Sequence, residues 1–327
     1  MTEFRNILVY VDQNPKRSDL ALRRAAEVAR QSGGRVTVLD VIEERADEFE
    51  AWPESNHSEL RDFIAASERT HLQNRAKELL GDIEHSVEVA WGRPSLAVIR
   101  RVLWSGHDLV IKVARGRESG RRLYFGSTAM HLMRKCPCPV WIVGAQPDSA
   151  PTILAAIDPG MPTDLPRALF ARRILERAQR LARTTGARLH VAHAWDTGRL
   201  HALRVRRNPI AAKNIEKARA AAARSAVQAV VDGDETLHLL RGPADEVIPL
   251  LARQLQAHTI VIGSVGRSGI SGILIGEMAE EILSRVDCGV LCVKPDGFVC
   301  PVRPAVPAAS AEGVALPEGE ALQRIAV

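Results

Sequence analysis

The chain has 327 residues, 46% apolar and 25% charged, with a formal charge of +5. This is an ordinary soluble globular mix with room for two domains. It excludes a bilayer-spanning helix, because no apolar run approaches the ~20 residues one needs. It also argues against nucleic acid as a partner, which calls for a concentrated basic face.

The first residues, MTEFRNILVYVDQ, lack the basic, apolar and small-residue order of a signal peptide and read as a strand. A cytoplasmic protein is therefore expected, and the odd count of five cysteines argues against a disulfide framework. The strand ends at Asp12. A helical pattern follows over Asp19–Ser32, stopped by Gly33-Gly34, and a second strand runs over 35–42. Further on, "WGRPSLAVIRRV" opens another helix and "HDLVIKV" another strand. Gly116 and Gly126-Ser127-Thr128 then mark a glycine loop crowded by Arg115, Arg117, Arg121 and Arg122. Cys136 and Cys138 flank a proline. Zinc pairs are more often spaced C-x2-C with a second pair, so buried thiols beside a strand are expected here.

The same order restarts at "PTILAAIDPG", whose strand ends at Asp158. A helix spans Leu165–Thr185, Gly186 stops it, and a strand covers 187–195. The basic residues of Arg199–Arg224 lie largely in an alanine-rich helical pattern and read as a solvated face. After "HTIVIGS" comes GSVGRSGISGILIGEMAEEI, with five glycines in fourteen residues leading into a helix. Backbone N–H groups of such a loop can cradle a phosphate, and the helix dipole assists. The end of the chain is rich in Pro, Ala and Glu without a long apolar period and reads as a disordered tail over 302–327.

The two halves correspond in detail. Gly116 and Gly266, Gly126 and Gly276, Cys138 and Cys288, and Val143 and Val293 each lie 150 positions apart, and Asp12 and Asp158 lie 146 apart. Such a period marks a tandem duplication. Each unit reads β-α-β-α-β-α-β-α-β, with strands rich in Val, Ile and Leu, as in a parallel sheet covered on both faces. The expected fold is therefore α/β, two tandem doubly wound parallel-sheet domains at 1–146 and 151–296. Ligands of such sheets sit beyond the carboxyl ends of the strands, where both aspartates and both glycine loops fall. The last strands of the units are "CPVWIV" and "CGVLCV", and exposed strand edges invite pairing. A homodimer of the whole chain is a further candidate assembly.

Gly263, Gly266 and Gly276 carry the spacing G-x2-G-x9-G. With the aspartates and the tandem layout, the chain resembles the universal stress protein superfamily, whose nucleotide-binding members have this motif followed by Ser or Thr. The resemblance implies a Rossmann-like fold, pairing of the two halves into an internal pseudo-dimer through those last strands, and a role in surviving stress such as DNA damage, starvation or oxidants. It also implies an adenine nucleotide, ATP or AMP, as the candidate ligand. Carried onto this sequence, the second-half site comprises Asp158, Gly263, Ser264, Val265, Gly266, Gly276 and Glu277. The first half offers a degenerate site of Asp12, Gly116, Gly126 and Ser127.

Both copies depart from the motif. Glu277 stands where a hydroxyl belongs and would repel phosphate, although a glutamate also suits a helix start. Val113 replaces the first glycine of the first half, where a β-branched residue resists φ > 0 and adds bulk. A second-half preference follows for any nucleotide, and a glycine turn kept for packing remains the alternative. No P-loop, G-x-G-x2-G, H-E-x2-H or G-x-S-x-G is present, and the histidines lack metal-ligand spacing. His107 and His258, beside strand starts, read as ordinary surface or edge residues. No catalytic residue or metal ligand is assigned. Binding of a ligand or partner is expected rather than turnover, with a weak ATPase or a binder of an apolar or small non-nucleotide ligand as alternatives.

Overall fold

The computed structural model describes residues 4–12, 15–43, 57–117, 120–144, 151–161, 163–196, 209–233, 235–264 and 277–304. The first half runs β1 (Asn6–Tyr10), α1 (Pro15–Ser32), β2 (Arg35–Ile42), α2 (His57–Leu80), β3 (His85–Trp91), α3 (Pro94–Ser105) and β4 (Leu109–Val113). An antiparallel ribbon of β5 (Arg115–Arg117) and β6 (Gly120–Tyr124) follows, then α4 (Gly126–Lys135) and β7 (Val140–Val143). The second half repeats the plan without a ribbon among its described residues. Its elements are β8 (Thr152–Ala156), α5 (Leu165–Thr185), β9 (Arg188–Trp195), α6 (Pro209–Gln228), β10 (Thr236–Arg241), α7 (Ala244–Gln254), β11 (Thr259–Gly263), α8 (Glu277–Arg285) and β12 (Gly289–Val293).

All the strands but the ribbon form one ten-stranded sheet, β10-β9-β8-β11-β12-β7-β4-β1-β2-β3. Each half is parallel within itself. The junction is antiparallel, with Leu291 opposite Trp141. The expected pairing of the two last strands is thus observed, and it merges two pseudo-symmetric sheets into one. It also points the carboxyl ends of the two halves at opposite edges, so their clefts open away from each other.

Alternate strand residues feed different cores, which is why the strands show no polar face. Ile7, Val9 and Val11 pack with α1, α2 and α5, whereas Leu8 and Tyr10 pack with α3, α4 and α7. Equivalent glycines enter α3 and α7 at the same point of the repeat. Gly92 has φ 120° and Gly242 φ 135°, a region that side chains resist. Beyond β12, Cys300 and Val302 pack against the second core. Residues 305–327, where a disordered tail was expected, lie outside the described residues. Among the described residues, no helix is long and apolar enough to cross a membrane.

The junction is polar as well as apolar. Arg134 on α4 makes an ion pair with Glu280 on α8, with Nε at 2.9 Å from the carboxylate. Buried Trp141 donates its indole N–H to Thr259 Oγ1 at 3.3 Å. The C-terminal carbonyls of α4 are satisfied largely from the other half. Lys294 Nζ donates to Met133 O and, at 3.2 Å, to Arg134 O. Cys300 Sγ donates to Lys135 O at 3.1 Å. A cation at a helix C-terminus meets both the orphan carbonyls and the dipole.

Candidate functional site

The two candidate sites lie at the carboxyl ends of β1 and β4 in one half and of β8 and β11 in the other. They differ in chemistry more than the sequence suggests.

In the first half, Asp12 sits two residues beyond β1. Its carbonyl accepts from Ser18 Oγ at 2.8 Å. Its carboxylate lies 3.8 Å from Nζ of Lys112, a residue of β4 that is 3% exposed. The same ammonium stands 5.0 Å from the centre of the Tyr10 ring and donates to Val113 O at 3.2 Å. An internal cation therefore stands beside the Asp12 carboxylate. Asp40, on the neighbouring strand β2, is buried and accepts from the Val41 N–H at 2.8 Å. Burial pushes its carboxyl up to about 6, despite that hydrogen bond. Glu68 and Asp12 add repulsion in the same direction. Lys112 and Asp40 were not assigned from sequence. The available signal was a charge inside each of the apolar runs LVIKV and RVTVLDVI.

The second half carries different side chains at two of these positions. Counted along the paired strands, His193 takes the place of Asp40, and Ile262 that of Lys112. His193 is buried, with Nδ1 3.1 Å from Ile157 O. Asp158 is half-exposed. Its Oδ1 accepts from Gly160 N at 3.2 Å and its Oδ2 lies 3.9 Å from Arg167. Gly263 ends β11, and Ser264 follows with its N–H on Val293 O at 2.9 Å. Ser264 is 2% exposed, and its hydroxyl has no hydrogen-bond partner among the described residues. Such a group is costly unless something pairs it.

Val265, Gly266 and Gly276 lie outside the described residues. Glu277 is the first residue of α8, a place that suits a glutamate, and its side chain is likewise outside them.

The reason given for the first glycine needs correction. Gly263 is not among the positive-φ residues, and neither is Val113. What requires glycine at 263 is space: a Cβ would stand 2.5 Å from Phe170 Cε1 and 2.7 Å from Cζ. Counted back from the glycines that end α1 and α5, Phe170 corresponds to Arg17. The first half therefore lacks the ring and accommodates Val113, which is buried in the strand ladder opposite Val143. Val113 closes no loop. The expected loop around Gly116 is instead the β5–β6 ribbon, in which Gly116 pairs with Leu123. Gly126 opens α4 with φ 68°, and Ser127 follows it.

The histidine reading also divides. His258 is structural, its Nδ1 accepting from Thr152 N at 3.1 Å. His107 is 4% exposed rather than a surface residue, and burial pushes its imidazole down to about 4. Among the described residues no three His, Cys, Asp or Glu side chains group as metal ligands.

The family model described as "Universal stress protein family" matches residues 3–144 and again 152–294. The chain is 28% identical over 310 residues to Universal stress protein E of Escherichia coli (strain K12), covering 93% of this chain and 98% of that one. It is 29% identical over 329 residues to Universal stress protein E of Photorhabdus laumondii, covering 93% and 99%. Among solved structures, a functionally unknown protein from Pseudomonas aeruginosa PAO1 matches with a TM-score of 0.66 at 29% identity, covering 90% of this chain and 94% of that one.

Proposed function

The chain belongs to the universal stress protein family, and we propose that it acts in stress survival by binding rather than by turnover. In this reading the second-half cleft takes an adenine nucleotide, ATP or AMP, while the first-half cleft is occupied by its own lysine. The observation that carries it is the buried hydroxyl of Ser264, unpaired among the described residues at the end of β11. Its position suits a donor to phosphate, with the loop of Gly266 and Gly276 beside it in sequence. Asp158, half-exposed beyond β8 and already in contact with Gly160 and Arg167, is the carboxylate that would also accept from ribose hydroxyls. In the first half the corresponding carboxylate of Asp12 is already engaged by Lys112. We place the protein in the cytoplasm, in keeping with five free thiols. The stresses assigned to it are DNA damage, starvation or oxidants.

Calorimetric titration with ATP tests the site. Ser264→Ala removes a buried hydroxyl that lacks a described partner, so it should leave the ligand-free protein as stable or slightly more stable. It should weaken ATP binding about two- to tenfold, the worth of one hydrogen bond. Gly116→Val should leave binding unchanged. Loss of ATP binding in the Gly116 variant alone would refute the assignment to the second half.

A groove of about 450 Å³ supports a second reading, a small non-nucleotide ligand. It is lined by Trp195, Leu239 and, on α6, Ala221, Arg224 and Gln228. Native mass spectrometry of freshly purified protein separates the two readings by the mass that co-purifies. Phosphate release from ATP that is abolished by Gly276→Val would point instead to a weak ATPase.

A further inference from the structure

Four of the five cysteines converge at the junction of the halves. Cys136 and Cys138 come from the bend after α4, Cys292 from β12, and Cys300 from the segment beyond it. Cys136 Sγ and Cys138 Sγ are 3.6 Å apart, both thiols free and buried. Cys292 Sγ reaches Met133 O at 3.7 Å, and Cys300 Sγ reaches Lys135 O. The ammonium of Lys294, 2% exposed, is buried in the same cluster. The pseudo-symmetry makes this arrangement specific to one half. The position equivalent to Cys138 is Cys288, but the position equivalent to Cys136 is Val286, so Cys288 lacks the neighbouring thiol.

We infer that Cys136 and Cys138 form a peroxide-oxidisable dithiol site at the junction of the two halves. The sulfurs need to approach by only about 1.5 Å to reach disulfide length, and the backbone is already bent between them. Burial raises the Cys136 thiol, but the hydrogen bond with Cys138 and the Lys294 charge outweigh it and bring Cys136 below its ordinary value. Cys138 is driven well up by the same hydrogen bond and by burial. Cys136 is thus the more acidic sulfur of the pair and the one that more readily becomes the nucleophile. Cys136 is fully buried and Cys138 keeps 6% of its surface exposed, so the exposed edge of Cys138 is where hydrogen peroxide, little larger than water, has to approach the pair.

The chemistry balances with peroxide as the only oxidant. Cys136 gives up its proton and attacks one peroxide oxygen as the thiolate, the O–O bond breaks, and the leaving hydroxide takes up that proton to become water. The Cys138 sulfur then displaces hydroxide from the Cys136 sulfenic acid, and its thiol proton leaves in a second water. In sum, two thiols and one peroxide become one disulfide and two waters. The two sulfurs are oxidised and the two peroxide oxygens reduced.

The test treats the full-length protein with graded hydrogen peroxide, alkylates it under denaturing conditions and maps each cysteine by mass spectrometry. The expected result is a peptide that has lost two hydrogens and both alkylation sites at Cys136 and Cys138. This should form at least about tenfold faster than any oxidation of Cys288, whose thiol burial pushes up to about 12. Dithiothreitol should restore both thiols. Cys138→Ser should stop at a Cys136 sulfenic acid that dimedone traps; the wild-type map stands by itself if that variant misfolds. Both thiols alkylated after Cys288 has been oxidised, or a bridge from either to Cys292 or Cys300, overturns the inference.

Discussion

Gly263→Ala separates packing from phosphate binding at the first motif glycine. The added Cβ would sit 2.5 Å from Phe170 Cε1 and 3.0 Å from Ile174 Cδ1. Ordinary carbon contacts are about 3.5–4.0 Å, so the ring must retreat by about 1 Å or more. It is a ring tip, not backbone, that gives way, and Phe170 is only partly buried. The cost therefore belongs at the lower end of overpacking, about 1–2 kcal/mol. Urea denaturation followed by circular dichroism reads that loss as a lower midpoint with an unchanged slope. Phe170→Leu shortens the ring that obstructs the Cβ. Combined with Gly263→Ala, it should lose less than the sum of the single losses, a coupling of about 1 kcal/mol. ATP titration of the double variant then reports on the loop alone. A Gly263→Ala protein as stable as the parent, or strictly additive losses, would refute the argument that Phe170 dictates glycine here.

Two further outcomes are expected. Like charges about 4 Å apart repel by roughly 4 kcal/mol at an effective dielectric near 20, and even a quarter of this changes affinity about fivefold. Glu277→Ser should therefore tighten ATP binding about fivefold, more at low salt than at high salt and less for AMP; equal affinities at two salt concentrations would end the repulsion argument. The pH dependence of stability should carry two opposed slopes. Asp40, raised from 3.8 to about 6, stabilises the fold below its unfolded value and loses this as pH rises through about 6. His107, lowered from 6.5 to about 4, stabilises it above its unfolded value and loses this as pH falls through about 4. Between those limits the two largely cancel. Asp40→Asn should remove one slope, giving up to about 3 kcal/mol more stability at pH 7 and a steeper loss on acidification, again about 3 kcal/mol. Urea midpoints at intervals from pH 4 to pH 7 check this, and an unchanged profile would contradict it.

The alternation of strands and helices, the duplication, and the placing of Asp12 and Asp158 at strand ends were legible in the sequence because they are local. Apolar runs, glycine stops and a fixed repeat each need only neighbouring residues or a constant offset. The pairing of β7 with β12 was expected from the family resemblance; the sequence itself showed only two apolar last strands at equivalent positions. The character of each cleft was not. Lys112 reads as one charge in a strand until the fold brings it to Asp12, 100 positions away in the chain. Gly263 reads as a loop glycine until α5 lays Phe170 on it. His107 reads as an edge residue until packing removes it from water. The four junction thiols lie in two separate stretches that only the antiparallel junction brings together. Burial and close contact depend on which distant surfaces meet, and sequence periodicity carries no record of that meeting.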